Sequence, residues 1–362
     1  MAQGLNKSPN NQGHLNTIWL SVVVIGKNEA DFLPGLFKSL PRGEKVEWIY
    51  VDSQSTDESI KIALDRGAKV YRVAEQSVCG PGTGRYIGTR EASGEWILYL
   101  DGDMVLHQEF KAFLDRLKEI RGEEKALLPP ETVGFTGRTR NFYLDEEKRV
   151  KEKRDFVVLS RKEMGPVKEW GRPAAYHGGA VLYRRAEVLE AGSWNPAVYQ
   201  LEEIDLYSRV RARGGVVRAL DLLMVDHYTP YLGSKEKLKL NFLPRYRGKE
   251  LCGAGQVIVA RYRDKSLLSL IRYYPYPFVV LAGLVAFLPL YLIWPVLPFL
   301  VNLLVAVWLG FIKKWYYYLV YLGNLVQMGR GLFRYRPFEP DYELVKSGDK
   351  KPPGGIEAGK GS

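Results

Sequence analysis

Cysteine is almost absent: Cys79 and Cys252 are the only two in 362 residues, and no Cys/His cluster accompanies them. That excludes a disulfide framework and a zinc site as organising features, and it fits a reducing compartment. A secretory leader is not expected either. Residues 1–17 are polar and rich in Gly, Asn and Gln, and the apolar run Ile18 to Ile25 is too short for a signal peptide with its cleavage site. The bulk of the chain is therefore expected to stay in the cytoplasm. Acid is in short supply relative to base, 41 residues against 52 for a formal charge of +11, which points to an anionic partner. Charge alone does not choose among nucleic acid, phospholipid headgroups and a phosphorylated substrate.

Hydrophobic content of 46% is enough for one large domain and something more. The run Trp96-Ile97-Leu98-Tyr99-Leu100 is apolar at every position and ends in Asp101-Gly102-Asp103. Such a run reads as a buried central strand, and its carboxyl end is where open α/β sheets place their ligand crevices. Asp-Gly-Asp alone is also a common solvated turn. At the rim of a core, however, two carboxylates need a partner, and oxygen ligands one residue apart suit Mg²⁺ or Mn²⁺ bridging to substrate phosphates.

The β-branched run from Ile18 to Ile25 ends at Gly26-Lys27-Asn28-Glu29, and residues 31–40 read as a helix. A second strand at residues 46–51 ends in Asp52-Ser53-Gln54-Ser55-Thr56-Asp57, where Ser55 or Thr56 is expected to cap the next helix. A third strand spans residues 68–73. This alternation predicts βαβ units and a parallel sheet whose strand ends bring Asn28, Glu29, Asp52, Asp101 and Asp103 to one crevice. Gly80 to Arg90 reads as a glycine-rich loop running into a helix that reaches about Ala92, with its amides and Arg85 approaching a diphosphate, or as a flexible loop with no such role.

These residues resemble family 2 glycosyltransferases over roughly residues 18–230. The resemblance rests on Lys27-Asn28-Glu29, Val51 through Asp57, Gly84-Arg85, Leu100-Asp101-Gly102-Asp103, His177-Gly178-Gly179-Ala180 through Tyr183-Arg184-Arg185, and Glu202-Glu203-Ile204-Asp205-Leu206 with Arg209 and Gly214. It implies a GT-A fold with a mostly parallel, Rossmann-like sheet and a nucleoside-diphosphate sugar donor. Asn28, Glu29, Asp52, Arg85, Asp101 and Gly102 are then donor-binding candidates. Asp103, Asp101 and His227 become the candidate ligands of Mn²⁺ or Mg²⁺. A catalytic base is expected at Glu203, which stands where the family has aspartate, or at Glu202. Asp205, His177, Trp170 and Arg209 are candidate acceptor or sugar contacts. On chemical grounds alone, a carboxylate within about 3 Å of an acceptor hydroxyl can take its proton. The acids of residues 202–205 also read as the acidic first turn of a helix.

Residues 278–312 form a 35-residue run without a charge, interrupted by Pro289, Pro295 and Pro298. As helix it would extend about 52 Å against an apolar bilayer core of about 30 Å, which predicts a hairpin of two short spans over 276–312. Basic residues on both flanks put both ends in the cytoplasm. The expected organisation is a flexible terminus (1–17), a catalytic domain (18–232), a basic membrane-interface segment (233–275), the hairpin, an interfacial helix or third span (313–340), and a disordered tail (341–362). The resulting expectation is an inverting, metal-dependent glycosyltransferase with a lipid-linked or glycan acceptor at the cytoplasmic membrane face and no nucleic-acid partner. A processive polysaccharide synthase and a catalytically silent scaffold are the alternatives. Against the synthase, no Gln-x-x-Arg-Trp motif follows Glu203.

Overall fold

The structure, a computed structural model, describes residues 18–75, 77, 79–120, 128–156, 170–174, 177–231, 253–261, 267–268, 329–330, 332–333 and 335–346. The chain opens with β1 (Leu20–Gly26), α1 (Leu33–Ser39), β2 (Val46–Asp52), α2 (Ser59–Asp65), β3 (Lys69–Val73), α3 (Pro81–Glu91) and β4 (Trp96–Asp101). It continues through β5 (Met104–Leu106), α4 (Gln108–Glu119), β6 (Thr132–Leu144), β7 (Val150–Phe156), β8 (Arg172–Pro173), β9 (Val181–Arg184) and α5 (Arg185–Glu190). The last elements are α6 (Glu202–Ala212), β10 (Val216–Pro230), α7 (Gly253–Arg261) and β11 (Tyr342–Val345).

Along the main path the strand order is β11-β3-β2-β1-β4-β9-β6-β10-β5, with β7 beside β6 and β8 beside β10. β3, β2, β1 and β4 are parallel, as the βαβ pattern requires. Beyond β4 the sheet is mixed rather than mostly parallel, because β9 runs antiparallel to both β4 and β6. β9 starts at Val181 opposite Tyr99, so the chain entering it crosses the carboxyl end of β4. That reversal delivers the His177-Gly178-Gly179 run to the strand edge where Asp101 lies.

β1 is buried on both faces. Val22 and Val24 pack with Leu36, Phe37, Leu100 and Phe110 on one side, while Val23 and Ile25 pack with Ile87, Tyr99, Trp194 and Leu206 on the other. Each such aliphatic side chain withdrawn from water contributes about 1.5–3 kcal/mol, which is why these strands read as continuous apolar runs without alternation.

The helix expected to reach about Ala92 takes in nearly the whole glycine-rich stretch, so that Pro81 onward is helix in place of the expected loop. α3 begins at Pro81, a residue with no N–H to lose at a helix start, and its Gly84 and Gly88 face β1 while Gly82 lies against the backbone of Asn195 and Val198. A Cβ at Gly84 would lie 2.8 Å from Ile25 Cγ2, and one at Gly88 would lie 2.2 Å from Val23 Cγ1. These two glycines therefore serve close helix-to-sheet packing. The expected cap of α2 at Ser55 or Thr56 is also absent, since that helix begins at Ser59 and both residues are used to hold the preceding loop.

The expected disordered tail contains β11, which pairs antiparallel with β3 from Tyr342↔Val73 to Val345↔Val70. Within the expected interface segment, α7 lies on the catalytic domain: Val257 is buried with Val198, and Arg261 is ion-paired to Asp205. Among the described residues no helix is long and apolar enough to cross a membrane. The hairpin expected at 276–312, the basic stretch 235–247 and residues 315–328 lie outside the described residues.

Gly88→Ala is expected to destabilise the protein by about 1–3 kcal/mol, the range for overpacking a filled core. Denaturant unfolding of the variant measures it, and an unchanged midpoint would show that α3 does not need this approach to β1.

Candidate active site

The loops after β1 and β2 are laced together at the carboxyl edge. Asn28 N–H donates to Ser55 Oγ at 2.8 Å, Thr56 N–H donates to Asn28 Oδ1 at 2.8 Å, and Glu29 N–H donates to Ser59 Oγ at 2.8 Å. Asn28 takes the left-handed conformation (φ 60°), one that Asn tolerates better than most residues. Asp52 is buried, with Oδ2 accepting from Ser55 N–H at 2.9 Å, and burial raises its pKa. The structure thus puts Asp52 beneath the crevice floor and makes Asn28 a fastener between loops. Glu29 remains facing the crevice.

At the end of β4, Gly102 lets the stem of Glu29 pass, since a Cβ there would sit 2.7 Å from Glu29 Cγ. Asp103 is then brought against β10 through the β5–β10 ladder, where Met104 is paired with His227 and Tyr228 N–H donates to Asp103 O at 3.0 Å. His227 Nε2 lies 3.3 Å from Asp103 Oδ2. One ligand atom from each of Asp101, Asp103 and His227 falls within 4.8 Å of the others. Asp103 Oδ1 is buried with no hydrogen-bond partner, an orphaned acceptor that a cation would satisfy. The donor set, two carboxylates and one imidazole, fits a divalent ion of the Mg²⁺ and Mn²⁺ class.

Asn141, directly across from His227 in the β6–β10 ladder, was not singled out by the sequence. Its Oδ1 lies 2.9 Å from His227 Nδ1. With the proton on Nδ1, Nε2 is left with its lone pair toward Asp103, the arrangement that metal-binding imidazoles use. Burial lowers the His227 pKa, but the hydrogen bond that a protonated Nε2 donates to Asp103, together with the surrounding acids, outweighs it and the net shift is upward. Glu29 is pushed up to about 8, first by burial and then by the charges of Asp103 and Asp101.

Arg85, a donor-binding candidate, is turned toward carboxylates of the protein itself. It is buried, with Nη1 2.5 Å from Glu202 Oε1, Nη2 2.8 Å from Asp101 Oδ1, and its guanidinium 5.0 Å above the Trp194 ring. Glu203 Oε1 is 3.8 Å from the same Nη1. Burial raises both glutamates above the usual carboxylate range while Arg85 opposes the rise. The two differ in access: the Glu202 side chain is 4% exposed and the Glu203 side chain 22%. α6 begins with this pair, just after Leu201 in a left-handed turn (φ 64°). Gly179 covers the Arg85–Asp101 contact so closely that a Cβ would lie 2.6 Å from both Arg85 Nη2 and Asp101 Oδ2.

Four other candidates are withdrawn from the crevice. Asp205 is fully buried between Arg209 and Arg261, both at 2.7 Å, so Arg209 is spent on the same ion pair. His177 is buried, its Nε2 2.7 Å from the Tyr183 hydroxyl, and burial lowers its pKa to about 4. Trp170 is core, with Arg116 stacked on its ring at 5.0 Å.

Residues 21–186 match the family described as "Glycosyl transferase family 2". This part of the chain is similar to glycosyltransferase domains. A stretch of 95 residues is 33% identical to 4,4'-diaponeurosporenoate glycosyltransferase of Staphylococcus haemolyticus (strain JCSC1435), and covers 25% of this chain and 25% of that protein. Among solved structures, the mannosyltransferase PcManGT from Pyrobaculum calidifontis, in complex with GDP-Man and Mn²⁺, shares the fold. It is 16% identical with a TM-score of 0.52, over 87% of this chain and 86% of that one. S. aureus TarS 1-349 in complex with UDP-GlcNAc is more distant, at 15% identity and a TM-score of 0.41 over 71% and 73% of the chains.

The raised Glu29 carboxyl has a consequence for stability. A carboxyl whose folded-state pKa is about 8 against an ordinary 4.5 favours the fold when protonated. That contribution is full below about pH 4.5 and is lost as pH rises through about 8. In metal-free protein, Glu29→Gln is expected to flatten the decline in denaturant midpoint across this window; an equal decline in variant and wild type would assign it to other groups.

Proposed function

We propose, from the premise that residues 21–186 match glycosyl transferase family 2, that the protein transfers a sugar from a nucleoside-diphosphate donor with inversion at the anomeric carbon, dependent on a divalent cation. The observation that carries the proposal is the convergence of Asp101, Asp103 and His227 within 4.8 Å of one another, beside a glutamate pair tied to Asp101 through Arg85. Asp103 and His227 would hold the ion, together with the Asp101 oxygen that is not paired to Arg85. A divalent cation bound there offsets the charge that develops on the departing diphosphate. Glu203 is the base. Glu202 is held by Arg85 and enclosed, while Glu203 keeps access to solvent and hence to an acceptor hydroxyl. As the hydroxyl oxygen bonds to the anomeric carbon, Glu203 takes its proton and the bond from that carbon to the diphosphate oxygen breaks. A single displacement from the face opposite the leaving group inverts the anomer.

The acceptor we propose is lipid-linked, presented at a membrane reached through the uncharged run 278–312. α7 before that run and residues 335–346 after it both rest on the catalytic domain. A chain that leaves and re-enters on one side crosses a bilayer an even number of times, which favours two spans over three. Accessibility tags placed at Gly329 and at the N-terminus are expected on the same face of sealed vesicles; opposite faces would require an odd count.

Purified protein with Mn²⁺ and a panel of nucleotide sugars should release nucleoside diphosphate in the presence of acceptor. Asp103→Asn is expected to abolish release. Glu203→Gln should lower transfer by roughly 10²–10⁴ with donor binding retained, the usual share of general-base catalysis. A fully active Glu203→Gln beside a dead Glu202→Gln would move the base by one residue.

A further inference from the structure

Upstream of the glutamate pair, residues 195–201 pass between two segments that lie far away in sequence. From α7, Gln256 Oε1 accepts from Tyr199 N–H at 3.0 Å, and Gln256 is itself buried. Val257 and Val198 are both buried against each other, with Leu201, Ile204, Leu267 and Tyr335 packed around them. From the returning C-terminal segment, the Tyr335 hydroxyl accepts from Asn195 Nδ2 at 3.3 Å. One turn into α6, Arg261 binds Asp205 Oδ1 at 2.7 Å. The segment ends at Leu201, whose left-handed backbone is one that a leucine adopts only when its surroundings impose it. Glu202 and Glu203 follow at once.

We propose that Gln256 and Tyr335 are positioning residues for the catalytic base: their hold on residues 195–201 sets the left-handed turn at Leu201 and so the place of Glu203. Both holding segments border residues 262–334, where the sequence carries its uncharged run. The base is thereby assembled by the seating of the chain on either side of that run, while Asp103 and His227 are seated on the β5–β10 ladder, away from these segments. This rests on the reading of Glu203 as base.

The test uses the full chain. Gln256→Met keeps length and removes the acceptor, Gln256→Glu keeps an acceptor oxygen, and Tyr335→Phe removes only a hydroxyl. For Gln256→Met and Tyr335→Phe, kcat for transfer is expected to fall by about ten- to a hundredfold, the scale of a misplaced reacting group, with donor KM and Mn²⁺ affinity unchanged. Gln256→Glu should recover most of kcat. Amide hydrogen exchange at residues 199–203 should quicken in the two damaging variants and not in the rescue. Unchanged kcat and exchange would overturn the proposal, and so would a loss of donor and Mn²⁺ binding in step with kcat, which would mark general loosening. Should the wild type turn over no nucleotide sugar, the functional reading falls, whereas the exchange measurement still decides whether Gln256 and Tyr335 hold this turn.

Discussion

The site is built around a single buried guanidinium. Arg85 faces Asp101, Glu202 and Glu203, three carboxylates around one positive charge, with the guanidinium and Glu202 withdrawn from water. Removing one partner from such a buried pair costs about 3–5 kcal/mol, because the charges left behind have no solvent to turn to. The arrangement therefore locks three segments together: the end of β4, the start of α6 and the middle of α3. It also leaves a net negative charge, met on the crevice side by a raised glutamate pair, a raised Glu29 and the unpartnered Asp103 oxygen. A site so arranged calls for a cation or protons, a demand that the proposed donor diphosphate and its divalent ion would meet.

Other features follow from getting that guanidinium into place. α3 must lie against β1 closely enough for Arg85 to pass beneath the strand ends, and Gly84 and Gly88 permit that approach. Trp194 supplies a ring under the cation. Gly179 seals the contact from above, a position available because β9 reverses direction beside β4. On the far side of the crevice, His227 is held by a ladder with β5 and by Asn141 on β6, a rigid seat on sheet elements.

Much of this was legible beforehand. The strands β1, β2, β3 and β4 are apolar runs whose period and termination reveal a parallel sheet, and the acids at their ends mark the functional edge because turn chemistry is local. The order of short motifs pointed to the glycosyltransferase family, and the match over residues 21–186 agrees. Misreadings arose where one residue type serves two physical purposes. A glycine-rich stretch suits a phosphate loop or a closely packed helix, and Ser and Thr cap helices or bind a neighbouring loop. An arginine near acids reads the same whether it meets a ligand or a buried carboxylate.

From the sequence alone came the class of fold, the edge of the sheet where chemistry would occur, and the residue types available there, all consequences of patterns a few residues long. Only the tertiary structure decided which of those residues touch: that Arg85 faces inward, that Asn141 orients His227, that Asp205 is sealed by Arg209 and Arg261, and that residues 342–345 return to β3. These are contacts between segments far apart in the chain. They are settled by burial and charge balance in three dimensions, and local sequence carries no record of which distant partner will satisfy a buried group.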